Sequence, residues 1–379
     1  MEKGRGVRIA VDARCLNTDH LRGMGKYVSE LLSHSGPEDE FDWLLLSDRP
    51  ETRFNFPSGI AHKSDLFDMR GYRFHSWEQV GLPRRSCERK ADLLYCTATT
   101  LPFWQPIPTV VAVHDTLPWV GQVADRYERW YRHSLIPAAY KKCAAVITIS
   151  QSSRRDILSL WPGLDQKLHV IPHGVSDIYF TDSRFDRSEM IDNAVGNSPY
   201  LLYIGGAIER KRFSWALKVF EALSYPGLFL VACGFSEEER SSIPKQLEQS
   251  LRERVRFLPY VPESEMPSLY RHAKVVLYPT LYEGFGFPAL EAQAVGAPVF
   301  FSDVSSLSEL KGPAAETLPV DDLVAWVDAC RRVLSQGGFP SRLEEESRLW
   351  ARRYSWSESA AGHARVFMSV LEGGTPVKE

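Results

Sequence analysis

The sequence predicts an α/β protein made of two doubly wound domains, each with a parallel sheet. Short apolar runs of the kind that form fully buried parallel strands recur along the chain, separated by amphipathic stretches of helix length. Near the middle this alternation stops in a polar stretch and then restarts. With 379 residues the chain is too long for one core and long enough for two compact domains.

The first set of strands opens with VRIAVDA (7–13) and runs through WLLLSD (43–48), LLYC (93–96), TVVAVHD (109–115), AVITIS (145–150) and KLHVIPHG (167–174). These runs show little alternation, as expected of strands covered on both faces. Between them KYVSELLSH and RYERWYRHSLIPAAYKKCA carry helical spacing, and SQSSRRDILSL begins with serines able to cap a helix's free amides. Residues 176–198 are polar and short of strand-like runs, which suits an interdomain linker. The second set is PYLLYIGG (199–206), LFLVACG (228–234), RVRFLPYV (254–261), KVVLYPT (274–280) and APVFFSD (297–303). The closing segment LEEESRLWARRYSWSESAAGHARVFMSVLEG is helical in period and aromatic enough to dock on another surface. The expected divisions are an N-terminal domain at 1–178, a linker at 179–198, a C-terminal domain at 199–350 and a terminal helical segment at 351–379.

Of the residues, 44% are hydrophobic and 25% charged, and the formal net charge is −3. No global basic field argues for a nucleic-acid partner, so an anionic substrate has to be met by local basic residues. The six cysteines (Cys15, Cys87, Cys96, Cys143, Cys233 and Cys330) form no C-x-x-C pair and no zinc-like spacing with histidine. They read as buried thiols in a reducing compartment. The N-terminus enters a strand pattern without the apolar core of a signal peptide, and no apolar run reaches membrane-spanning length. The expectation is a cytoplasmic enzyme.

In open parallel sheets ligands sit beyond the carboxyl ends of the strands, so chemistry is sought just after each strand, at a cleft between the two domains. After KVVLYPT comes LYEGFGF, then Pro288 in the first turn of the helix PALEAQAV, which Gly296 stops. The amides at that helix start, with Gly284 and Gly286 allowing close approach, make an anion pocket. Glu283 stands on the loop, and Glu291 lies about one turn inside the helix, where it can accept from a sugar diol or simply complement the helix dipole. After the first strand of the second domain, YIGGAIERKRF places Gly205 and Gly206 in a turn and brings Arg210, Lys211 and Arg212 to its cleft side. One charge-assisted contact from such a residue to a phosphate contributes about 1.5–3 kcal/mol. In the first domain RGMGKYVSELL puts Gly23 and Gly25 before a helix, and VAVHDTLPW leaves His114 and Asp115 at a strand end, where the histidine is either packed or catalytic. No G-x-G-x-x-G occurs, which argues against a nicotinamide or flavin cofactor.

Together these segments resemble the retaining glycosyltransferases of family 4 (glycosyl transferases group 1), mannosyltransferases among them. The similarity spans nearly the whole chain: RGMGKYVSELL resembles the family's glycine loop, WEQVGLP (77–83) and VHDTLPW its middle segments, YIGGAIERKRF its diphosphate-binding segment and EGFGFPALEAQAVGAPV its E-x7-E motif. The resemblance implies a GT-B fold, two Rossmann-like domains facing across a cleft, with a C-terminal helix in YSWSESAAGHARVF crossing back toward the first. It implies donor binding in the second domain and acceptor binding in the first. Glu291 would hold the donor's ribose, while Glu283 and the amides of Gly284, Phe285, Gly286 and Phe287 would hold the transferred sugar and its phosphate. Lys211 matches the family lysine on the diphosphate, His114 a position near the donor sugar, and Gly25 belongs to the glycine loop. Base recognition falls to the 260–262 turn, around Val261. Where the family frequently carries an arginine this chain has Gly206, and Arg210 is the candidate substitute.

The implied reaction is retaining transfer of a hexose from a GDP- or UDP-sugar to a saccharide or lipid-linked acceptor, in bacterial surface polysaccharide (lipopolysaccharide) synthesis. It needs no cofactor and no metal ion: D-x-D is absent, and a helix N-terminus with Lys211 stands in for the ion. Two other readings share the architecture, a sugar-nucleotide epimerase and a non-catalytic nucleotide-sugar-binding subunit of a glycan assembly complex. RYERWYRHSLIPAAYKKCA mixes Arg126, Arg129, Arg132, Lys141 and Lys142 with Tyr127, Trp130 and Tyr131. It reads as an ordinary helix over the first sheet or as a peripheral contact with the inner face of the plasma membrane.

Overall fold

The computed structural model describes residues 6–16, 21, 23–35, 41–48, 73–120, 125–181 and 186–373. It separates two compact units, residues 1–174 with 355–379 and residues 175–354. The strands of the first are β1 (Val7–Asp12), β2 (Phe41–Leu46), β3 (Leu93–Cys96), β4 (Thr109–Ala112), β5 (Ala145–Thr148) and β6 (Leu168–Val170). They pair in parallel in the order β2-β1-β3-β4-β5-β6. Every residue of β3, β4 and β5 is buried, which is why these segments are apolar without alternation. Leu44, Leu94, Val111 and Val146 pack with Trp77, Ile136 and Ile157 in one core. The neighbouring Tyr95 points to the opposite face, where its ring meets Phe367 of the C-terminal helix Trp356–Leu371. That helix also packs on the first helix, Gly23–His34.

The second unit repeats the plan with β7 (Tyr200–Ile204), β8 (Phe229–Cys233), β9 (Val255–Phe257), β10 (Val275–Tyr278), β11 (Val299–Ser302) and β12 (Ala315–Leu318), in the order β12-β11-β10-β7-β8-β9. Its core joins Leu201, Leu230, Val275 and Phe300 to Phe213, Phe220 and Trp326.

Several expectations are corrected. Within the stretch expected as a linker, 179–198, a helix, Glu189–Val195, forms as part of the second unit, its N-terminus capped by Ser188 and its Ile191 and Val195 buried. The strand β12 was not expected, because AETL is half polar and lies at a sheet edge where Glu316 reaches out to Arg332 at 2.7 Å. RVRFLPYV contributes only Val255–Phe257 as strand; the Leu258 amide makes the last ladder bond, to the Ala232 carbonyl at 3.0 Å, before the chain leaves the sheet edge at Pro259. The closing segment is two helices, Ser341–Ala351 and Trp356–Leu371, interrupted where Ser355 turns to accept from the Glu358 amide at 3.1 Å. RYERWYRHSLIPAAYKKCA is not one regular helix but Arg126–Trp130, a π-helical turn Tyr131–Leu135 and Ile136–Lys142. WEQVGLP likewise forms a π-helical turn, Trp77–Gly81, before the helix Leu82–Glu88. In both, a proline follows the wide turn by one residue, and the widening makes room for a ring that would strike the carbonyl four residues back. Among the cysteines Cys87 is exposed and Cys15 half-buried, so only the other four are buried thiols.

Candidate functional site

The strand order of the second sheet reverses at its first strand: β7 is flanked by β8 on one side and β10 on the other. A crevice at such a reversal is where open α/β sheets bind ligands. Arg210 and Lys211 follow β7 and Glu283 follows β10, so both candidate segments meet there. Three donors converge on Glu283 Oε1: Arg210 Nη1 at 2.9 Å, Thr280 Oγ1 at 2.9 Å and Lys211 Nζ in a close ion pair. Arg210 Nη1 also donates to the Tyr282 carbonyl at 2.6 Å, and Lys211 Nζ to the Tyr278 hydroxyl at 2.7 Å. Burial lowers the Lys211 pKa, and the Glu283 charge partly opposes that shift. Burial and the same carboxylate hold the Tyr278 phenol well above its ordinary value. The site is therefore an arginine and a lysine fixed side by side by one buried carboxylate.

Gly206 stands where the resemblance would place an arginine, and the backbone explains why it is glycine. Its φ is +67°, and a Cβ would lie 2.3 Å from the Gly234 carbonyl oxygen. Arg210, four residues beyond Gly206, is instead the guanidinium at the site.

The turn after Glu283 leads into the helix Phe287–Ala294, with Pro288 in its first turn and Gly286, φ +113°, at its start. A Cβ on Gly286 would sit 2.4 Å from Leu307 Cδ2. Leu307 belongs to a 3₁₀ turn, Ser305–Leu310, that sequence reading missed altogether. The Glu283 amide donates to Ser305 Oγ at 2.9 Å, and Ser306 Oγ donates to the carbonyls of Glu283 and Phe285 at 2.8 and 2.7 Å. Ser305 holds φ +45°, a left-handed conformation that costs a non-glycine residue about 1–3 kcal/mol and is maintained by its surroundings. Ser305 and Ser306 have no motif around them, and only their fold neighbours identify them.

Glu291 is 6% exposed and accepts from the Tyr270 hydroxyl at 2.8 Å, so its carboxylate is oriented by a tyrosine of the preceding helix, Met266–Arg271. Val261 is half-buried in the loop between β9 and a 3₁₀ turn at Glu263–Glu265.

The remaining candidates lie in the first unit. Gly25 does not precede the first helix but sits inside its first turn, where a Cβ would lie 2.8 Å from the Cys15 carbonyl. Close packing alone thus requires glycine there. His114, 9% exposed, follows β4 and places Nε2 2.9 Å from the Thr97 carbonyl, which can only accept. Burial lowers its pKa against the opposing pull of that bond. The neutral ring then carries its proton on Nε2 and a lone pair on Nδ1. Among the described residues no three histidine, cysteine or acidic side chains are grouped to hold a metal ion, and no helix is long and apolar enough to cross a membrane.

Two family models match the chain: "Glycosyltransferase Family 4" over residues 21–177 and "Glycosyl transferases group 1" over residues 186–350. The chain is 28% identical over 219 residues to O-antigen chain mannosyltransferase B of Escherichia coli, an alignment that spans 56% of this chain and 57% of that protein. It is 26% identical over 350 residues to a D-inositol 3-phosphate glycosyltransferase of Xylanimonas cellulosilytica, spanning 89% of this chain and 81% of that one. In three dimensions it resembles sucrose-phosphate synthase of Thermosynechococcus elongatus, with a TM-score of 0.76 at 18% identity over 97% of this chain and all of the other. That last likeness is one of fold, the two-sheet GT-B architecture.

Proposed function

The chain belongs to glycosyltransferase family 4, with the GT-B fold, and from that premise we propose that it transfers a hexose, mannose in our reading, from a nucleotide diphosphate sugar to a saccharide or lipid-linked acceptor. The second unit binds the donor and the first the acceptor. The observation that carries this reading is the meeting of Arg210, Lys211 and Glu283 at the reversal point of the second sheet.

Each assignment follows from chemistry. Arg210 and Lys211 set two positive charges against the two of a diphosphate, and the amides of Gly284, Phe285, Gly286 and Phe287 add the positive end of the following helix. Gly206 lets the backbone lie close. Glu283 keeps the two cations together and accepts from hydroxyls of the transferred sugar. Glu291, steadied by Tyr270, accepts from the ribose diol. Val261 borders the base, GDP being the favoured donor nucleotide, with UDP the other candidate. His114 contacts the transferred sugar, and Gly25 belongs to the donor-binding set.

The reaction is retaining and takes place on one face of the sugar. The bond from the anomeric carbon to the phosphate oxygen breaks, a bond from that carbon to the acceptor oxygen forms on the same side, and the acceptor's proton passes to the departing phosphate. Charge on that phosphate is met by Arg210, Lys211 and the helix amides, so no divalent ion is needed. Similarity to an O-antigen mannosyltransferase supports a place in bacterial surface polysaccharide synthesis. That setting implies a cytoplasmic protein working at the inner face of the plasma membrane, with Trp130 and Arg129 on the exposed side of their helix as the contact.

Thermal stabilisation by GDP- and UDP-sugars tests the donor, because a ligand bound only by the folded state raises its melting temperature. Turnover with a polyprenol-linked saccharide, read by NMR for the configuration of the new linkage and repeated in EDTA, tests the rest. Inversion, dependence on a divalent ion, or epimerised donor without acceptor would each overturn it. Flotation with anionic vesicles, compared with neutral ones, tests the membrane contact.

A further inference from the structure

A buried chain of hydrogen bonds in the first unit joins three elements far apart in sequence, and none of its members has a part in the reading above. Tyr27 lies on the first helix, Tyr95 on β3 and His363 on the C-terminal helix, all at most 1% exposed. His363 Nδ1 is 2.7 Å from the Ser359 carbonyl one turn back in its own helix. A carbonyl only accepts, so Nδ1 carries the proton and Nε2 of the neutral ring is an acceptor. The Tyr27 hydroxyl, 2.6 Å from Nε2, therefore donates to it. Tyr27 oxygen is in turn the acceptor for the Tyr95 hydroxyl, with which it makes a close contact. Every proton in the chain thus has one direction, from Tyr95 to Tyr27 to His363 to the backbone. Burial lowers the His363 pKa to about 4, in keeping with the neutral ring.

What the chain holds is the Tyr27 ring. It stands edge-on to His114, with centroids 5.1 Å apart and planes at 79°, and packs on His173 at 4.6 Å. The His114 ring is held by the Nε2 bond to the Thr97 carbonyl, and rotation about that bond is limited by what packs on the ring.

We propose that His363 is a positioning residue for His114: by accepting from Tyr27 it fixes the ring that packs at right angles on His114 and keeps the imidazole turned with Nε2 on Thr97. The C-terminal helix is thereby made part of the machinery of transfer although no side chain of it needs to touch substrate. This rests on the role given to His114 above, and its test separates the two.

The full chain is compared with His363→Leu, His363→Gln, Tyr27→Phe and His114→Ala, with kcat and donor KM normalised to the folded fraction and the His114 ring nitrogens followed by 15N NMR. Glutamine keeps an acceptor for Tyr27; leucine does not. His363→Leu is expected to lower kcat about tenfold while donor KM moves less than about twofold, because misorientation acts on the transition state rather than on binding. His363→Gln should restore most of that loss, and the His114 15N signals in the leucine variant should move from one tautomer toward a mixture. Tyr27→Phe keeps the ring and its volume, removes the hydroxyl, and should repeat the leucine result; it carries the comparison if His363→Leu does not fold. A folded His363→Leu or Tyr27→Phe protein with wild-type kcat and unmoved His114 signals would overturn the proposal. Unchanged turnover in His114→Ala would instead remove His114 from catalysis, while the 15N signals would still show whether His363 orients it.

Discussion

Glu283 carries a double task at the scale of a single residue, because the carboxylate proposed to meet the sugar is also the one that pairs Arg210 with Lys211. Glu283→Gln keeps an oxygen for Thr280 and changes no volume, so the fold should persist while most turnover is lost; unchanged kcat would remove Glu283 from the essential set. The same change takes away the charge that props up the Lys211 ammonium against burial. Its pKa should fall further, and the alkaline limb of the kcat/KM profile, measured on the residual activity, should move to lower pH. A limb that stays in place would mean that Lys211 is not the group lost on that side. Gly206 makes the complementary case. Gly206→Arg restores the side chain that the family resemblance suggests, yet here it meets the Gly234 carbonyl from a left-handed backbone. The expected result is a loss of about 1–3 kcal/mol in denaturant unfolding with no gain in donor affinity. A variant as stable as the wild type, with tighter donor binding, would show that the turn can open.

Elements show where sequence reading succeeds and where it stops. EGFGFPALEA was readable because its information is local: two glycines, a proline in the first turn and two acids follow one another across a strand-to-helix step. Arg210 and Lys211 were readable from position alone, just past an apolar strand and a Gly-Gly turn. Ser305 and Ser306 were not, because SSLSEL carries no period or spacing and acquires meaning only when the sheet brings it beneath Glu283. The same holds for His363 and Tyr27, separated by 336 residues. The break at 352–355 was hidden because helical period runs through it; the signal that marks it is the Ser355 cap before Glu358. Ser306→Ala removes one hydroxyl that serves two carbonyls and so should cost about 1–3 kcal/mol, lowering the melting temperature and turnover together. Loss of stability with full turnover per folded molecule would show that the turn before the Phe287–Ala294 helix does not depend on this support.

The two units differ as whole bodies in how they should respond to acid. His114, His173 and His363 all belong to the first, and burial lowers the pKa of each, His363 to about 4. In the unfolded chain a histidine titrates at about 6.5. Above that pH both states are neutral at these rings and their stabilising contribution is fully present. As pH falls below it, the unfolded chain binds protons that the folded first unit refuses, and stability declines by at most about 1.4 kcal/mol per pH unit for each ring until the folded group also titrates. The described part of the second unit has only one histidine, His272, at the end of the Met266–Arg271 helix. Between pH 7.5 and pH 5, hydrogen exchange should therefore lose protection first in the Gly23–His34 and Trp356–Leu371 helices and in β3, while β7, β8 and β10 keep theirs. His363→Gln, which has no ring to charge, should flatten the decline of the first unit by up to one ring's share. Equal loss of protection in both sheets, or a variant with an unaltered slope, would assign the acid response to carboxylates instead of the buried histidines that join the C-terminal helix to the first sheet.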